Sequence, residues 1–129
     1  MVQLREYLYE DGGSPFAKWF DSLEPVAAAK VATAKTKLSL GHVGNVKPLD
    51  EGVCEYRIDY GPGYRIYLAW DGAKLIVLLG GGDKGSQKGD IAEAKRLWAE
   101  YKRRKVAKKQ EETASMKTRE DRKRSKGRR

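Results

Sequence analysis

Between Gly52 and Leu79 the chain holds three short strand-like segments whose connections are too tight for anything but antiparallel pairing. The segments Gly52 to Tyr60, Tyr64 to Trp70 and Lys74 to Leu79 are separated by Gly61-Pro62-Gly63 and by Asp71-Gly72, and Asp-Gly is a strong hairpin signal. A meander is the expected result. Side chains alternate across a strand, so each segment divides into two faces. Cys54, Tyr56, Ile58 and Tyr60 share one face of the first, with Tyr64, Ile66, Leu68 and Trp70 on the matching face of the second. This apolar set should meet the helices. The opposite face carries Glu55, Arg57 and Asp59, then Arg65 and Tyr67, and is expected to be open.

The flanking sequence reads as one strand and two helices before the meander, and one helix after it. Gln3 to Tyr9 alternates like a strand and is followed by the turn residues Asp11-Gly12-Gly13. Ser14 before Pro15 is a helix start, because Ser caps free N–H groups and Pro fits the first helical position. Phe16, Trp19, Phe20 and Leu23 then fall on one helical face, a core pattern. Pro25 opens a second helix to about Leu40, so the two form a helical hairpin, and Gly41 to Asn45 is a loop. Gly80-Gly81-Gly82 is expected to break the third meander strand. Ser86 or Asp90 can cap the next helix, which places Ile91, Ala94, Trp98 and Tyr101 on one face and should fade near Lys105. Residues 1–105 are therefore expected to form one α+β domain. Residues 106–129 have almost no large apolar side chain and are expected to be a basic, disordered tail or a solvated helical extension.

Charge points toward polyanions, but unevenly. The net charge is +9, and residues 106–129 hold ten Lys or Arg against four acids. Attraction without placement is non-specific. The lone cysteine, Cys54, excludes an internal disulfide and reads as a small core residue, and with His42 as the sole histidine no metal site and no cofactor is expected. No run approaches the roughly 20 apolar residues of a membrane span, and the first residues do not read as a signal peptide, so a cytoplasmic protein with no membrane partner is expected. The run from Gly80 to Ser86 does not match the spacing of a nucleotide-binding phosphate loop.

The polar strand face is the chemically interesting one. Arg57, Arg65 and Tyr67 lie on it, with Lys84 expected at its rim; guanidinium and ammonium groups hold phosphate oxygens, and a tyrosine can stack on a base or donate a proton. The same pattern also fits a surface ion pair of Arg57 with Glu55 or Asp59, with Tyr67 shielding the sheet.

Several ordered motifs carry a resemblance: Gly52-Val53-Cys54-Glu55-Tyr56-Arg57-Ile58, Gly61-Pro62-Gly63-Tyr64-Arg65-Ile66-Tyr67, and Leu78-Leu79-Gly80-Gly81-Gly82-Asp83-Lys84 with Gln87, Asp90, Ile91 and Ala94. With Pro15-Phe16, Trp19 and Gly44-Asn45, residues 2–105 resemble the HigB-like addiction module killer branch of the RelE/ParE toxin superfamily. That resemblance implies a RelE-like fold, a curved antiparallel β-sheet with an N-terminal helical hairpin and a C-terminal helix in the order βααβββα. It implies a type II toxin that cuts mRNA on the ribosome through the ribose 2′-hydroxyl and is neutralised by a cognate antitoxin, expected to be a helix-turn-helix protein. Arg65 matches the arginine that the family places at the scissile phosphate, Arg57 a basic position on the preceding strand, and Lys84 a basic position after a glycine turn. Tyr67 joins them as a candidate for stacking or proton transfer from its place on the strand face. Catalysis and RNA binding are thus expected of Arg57, Arg65, Tyr67 and Lys84, and Arg65→Ala should remove toxicity while leaving the fold largely intact. The superfamily also includes ParE-like inhibitors of DNA gyrase without nuclease activity, and an inactive nucleic-acid-binding relative is a further alternative.

Overall fold

The computed structural model describes residues 1–126, with side chains through residue 116. Two units divide the chain, Met1–Trp98 and Ala99–Arg129. The first holds β1 (Gln3–Glu6), α1 (Pro15–Asp21), α2 (Pro25–Ser39), β2 (Val46–Pro48), β3 (Val53–Ile58), β4 (Tyr64–Trp70), β5 (Leu75–Asp83), a single 3-10 turn at Lys84–Ser86 and the first turns of α3 (Gln87–Lys126).

Local chemistry explains where the helices begin. Ser14 caps α1 by accepting the Ala17 N–H at 3.0 Å while its hydroxyl donates to Glu6 at 2.6 Å, tying the helix start to β1. Glu24 caps α2 by accepting the N–H groups of Val26 and Ala27, and Pro15 and Pro25 occupy first positions where no hydrogen bond is lost. At the end of β5 Asp83 accepts the N–H groups of Gly85 and Ser86 and so caps the single 3-10 turn, whose last residue, Ser86, directly precedes α3.

The five strands form one mixed sheet in the order β1-β5-β4-β3-β2. The meander is antiparallel as expected, with Tyr56 opposite Ile66 and Arg57 opposite Arg65. Three features depart from expectation. β1 lies parallel to β5, Leu4 beside Ile76, so the sheet is not wholly antiparallel. A three-residue strand, β2, pairs with β3 in the segment after the Gly41 to Asn45 loop. The glycine run also continues β5 instead of breaking it, with Gly80, Gly81 and Gly82 opposite Tyr67, Ile66 and Arg65 beyond an irregularity at Tyr67/Leu68.

The helical hairpin covers one sheet face. Phe16, Val31, Ala34 and Leu38 pack there against Tyr56, Ile58, Ile66, Leu68, Ile76 and Leu78, with Trp19, Phe20 and Leu23 at the margin. The other face is also buried: Val53, Glu55, Arg65, Tyr67, Ala69, Val77 and Leu79 are covered, as are Ala94, Leu97 and Trp98 of α3. Trp98 packs at Gly52, and Lys95 pairs with Asp50 at 3.5 Å, which ties α3 to the turn before β3. The polar strand face is therefore not an open surface. An amphipathic helix must bury its apolar stripe, and the hairpin had already occupied the opposite face. The helix does not fade near Lys105; residues 106–126 continue α3, and residues 127–129 of the expected tail lie outside the described residues.

Candidate functional site: a basic cleft over a buried Arg–Glu pair

Arg57 and Arg65 stand directly opposite each other across β3 and β4, an arrangement that like charges disfavour. Glu55 resolves the conflict. Two residues before Arg57 on the same face, its Oε1 accepts Arg57 Nε at 3.0 Å, and its Oε2 lies 3.4 Å from Arg65 Nε. The second contact is an ion pair without hydrogen-bond geometry, since Arg65 Nε and Nη1 are buried with no hydrogen-bond partner. Arg57 is 53% exposed at its side chain, whereas Arg65 and Glu55 are 8% and 3% exposed. The pairing of Arg57 with Glu55, one of the alternatives left by the sequence, is thus present, but around a buried carboxylate.

A cleft of about 950 Å³ opens at this end of the sheet. Arg57, Arg65 and Lys84 line it together, joined by Lys47, Asn45 and Gln87 and by residues of the turn between β3 and β4, with Asp59 as the one acid in its lining. Four cations and one carboxylate line the cleft, and Glu55 beneath it pairs with two of the four, Arg57 and Arg65. Glycine at 61 and 63 adopts positive φ, which lets the turn fold back tightly beside the cleft. The volume is within the range of small-ligand sites, and the charge suits a phosphate group. Lys47 escaped the sequence reading because β2 did; its place opposite Glu55 on the edge strand is what brings it alongside.

Tyr67 is not part of this cleft. It is 1% exposed, its hydroxyl lacks a hydrogen-bond partner, and it lines a separate cavity of about 150 Å³ with Leu79, Gly80, Asp90, Glu93, Ala94 and Leu97. Burial, reinforced by the Asp90 carboxylate, pushes its phenol up to about 12. So high a value makes it a poor proton donor near neutral pH. Because the folded phenol resists ionisation while the unfolded one ionises near 10, its stabilising contribution is complete below pH 10 and is lost as pH rises toward 12. Tyr67→Phe should flatten that alkaline loss in urea titrations at successive pH values, and at pH 7 should change stability by less than about 1 kcal/mol because the hydroxyl makes no bond.

No family model matches the sequence. Over 83 residues the chain is 41% identical to a Haemophilus influenzae protein described as "Uncharacterized protein", an alignment covering 64% of this chain and 84% of that one. The chain belongs to that protein's family.

Proposed function

We propose that the family shared by this chain and the Haemophilus influenzae protein is a branch of the RelE/ParE toxins, and that this chain is a ribosome-dependent mRNA endoribonuclease. The observation that carries the reading is the cleft lined by Lys47, Arg57, Arg65 and Lys84. The motif series from Gly52 to Ala94 supports it, as does the α+β architecture with an N-terminal helical hairpin and a C-terminal helix. No helix among the described residues is long and apolar enough to cross a membrane, in keeping with action on ribosomes in the cytoplasm. A cognate antitoxin, on this reading a helix-turn-helix protein, holds the toxin inactive.

In this mechanism the ribose 2′-oxygen attacks the adjacent phosphorus, its proton leaving to the Asp59 carboxylate or to water, and the bond to the 5′-oxygen breaks. Arg65 and Arg57 hold the non-bridging oxygens as negative charge builds on them. The Lys84 ammonium gives a proton to the departing 5′-oxygen. Tyr67 takes no direct part, since its hydroxyl lies in the other cavity.

Inducing the chain without an antitoxin and mapping new 5′ ends in cellular RNA tests the proposal. Cleavage within translated messages is expected, and Lys84→Ala should slow it by about 10²-fold or more. Growth arrest with intact messages and lost DNA supercoiling would instead place the chain with the gyrase inhibitors.

A further inference from the structure

We infer that α3 from Ala99 onward is a second nucleic-acid contact, a basic helix that binds the phosphodiester backbone of a duplex independently of the cleft. Residues 1–98 carry thirteen basic and thirteen acidic side chains and are formally neutral; residues 99–129 carry fourteen against five. The whole net charge of +9 therefore belongs to one segment, which is helical through Lys126. Six cations fall within eight residues, from Lys102 to Lys109, and Lys102, Arg103, Lys105, Lys108 and Lys109 are exposed. At 100° per residue, Lys102, Arg104, Lys105, Lys108 and Lys109 span less than half the circumference. Glu100 is shared by Arg103 and Arg104, so a single carboxylate serves two guanidiniums.

The composition of the segment selects the partner. A membrane surface requires an apolar stripe opposite the charges. Here the exposed large apolar residues are Val106 and Met116, ten positions and nearly three turns apart, with no large apolar residue between them to make a stripe. Single-stranded nucleic acid is held by aromatic stacking platforms, and no aromatic residue follows Tyr101. An acidic patch on a folded protein is short compared with this helix, which runs about 40 Å from Ala99 to Lys126 and has Lys or Arg at twelve positions of its sequence. A duplex backbone presents regularly spaced phosphates over that length, and Lys and Arg bind it by releasing its counterions. This inference does not depend on the nuclease reading, because it uses no residue of the cleft.

Fluorescence anisotropy of the full chain with labelled duplex RNA, duplex DNA of the same sequence and single-stranded RNA tests it. Both duplexes should bind more tightly than the single strand, with log affinity falling linearly against log salt. The quadruple variant Lys102→Gln, Lys105→Gln, Lys108→Gln, Lys109→Gln should weaken duplex binding at least tenfold near about 100 mM salt and reduce the salt slope by about 3. Glutamine preserves helix propensity, and circular dichroism checks that the helix remains. An unchanged affinity and slope in that variant overturns the inference, as does preference for the single strand or binding to anionic vesicles alone. So does an equal loss on Arg57→Ala, which would return duplex binding to the cleft.

Discussion

Arg65→Ala is expected to destabilise the fold by about 3 kcal/mol, because it leaves the buried Glu55 carboxylate with one guanidinium instead of two, and on the proposed nuclease reading it also abolishes toxicity. This differs from what the sequence suggests, where Arg65 reads as an exposed catalytic residue removable without structural cost. The side chain is 8% exposed, and Arg57 alone cannot fully compensate Glu55 from its own exposed position. Loss of stability and loss of chemistry can be separated. Arg65→Ala combined with Glu55→Gln removes the stranded charge as well as its partner, so at least about 1 kcal/mol should return in urea unfolding. If Arg65 stabilises charge on the phosphate, the double variant stays inactive, with cleavage lower by about 10²–10³-fold. A double variant that regains both stability and toxicity would make Arg65 a purely structural residue.

The same arginine shows what could and could not be read from sequence. Alternation sorted the strand faces: Arg57, Arg65 and Tyr67 do share one, and Cys54, Tyr56, Ile58, Ile66 and Leu68 share the other. Whether that polar face was covered is a tertiary question. A local signal existed, since Leu75 to Leu79 is continuously apolar and Ala69 sits opposite Val77, as in a strand buried on both sides. Together with the unassigned apolar stripe at Ala94 and Trp98, it pointed to a helix on that face. The parallel pairing of β1 with β5 left no comparable trace, because partners more than seventy residues apart are chosen by packing rather than by turn chemistry. β2 was hidden by its length and by Pro48, which suits only an edge strand.

The glycine run misled for an instructive reason: glycine lowers strand propensity, yet here its missing side chains make the strand possible. A Cβ at Gly81 would come within 2.2 Å of the Trp19 indole, and a Cβ at Gly82 would collide with the Asp90 carboxylate. The two glycines thus admit α1 on one face of β5 and α3 on the other. The expected costs differ. Trp19, at the margin of the core, lies against Phe16 and Tyr64 with ring centroids 5.8 and 6.4 Å away, and its ring cannot give way without disturbing those contacts. Gly81→Ala should therefore destabilise by about 3 kcal/mol and lower the melting temperature by roughly 10 °C or more. At Gly82 the nearest obstacle is the end of a rotatable side chain whose main bond is to Ser86, so Gly82→Ala should cost only about 1 kcal/mol. Adding Trp19→Leu to Gly81→Ala should recover part of the loss, a coupling readable from a double-mutant cycle in calorimetry. Strictly additive effects would mean that the glycine serves the β5 backbone and not the approach of α1.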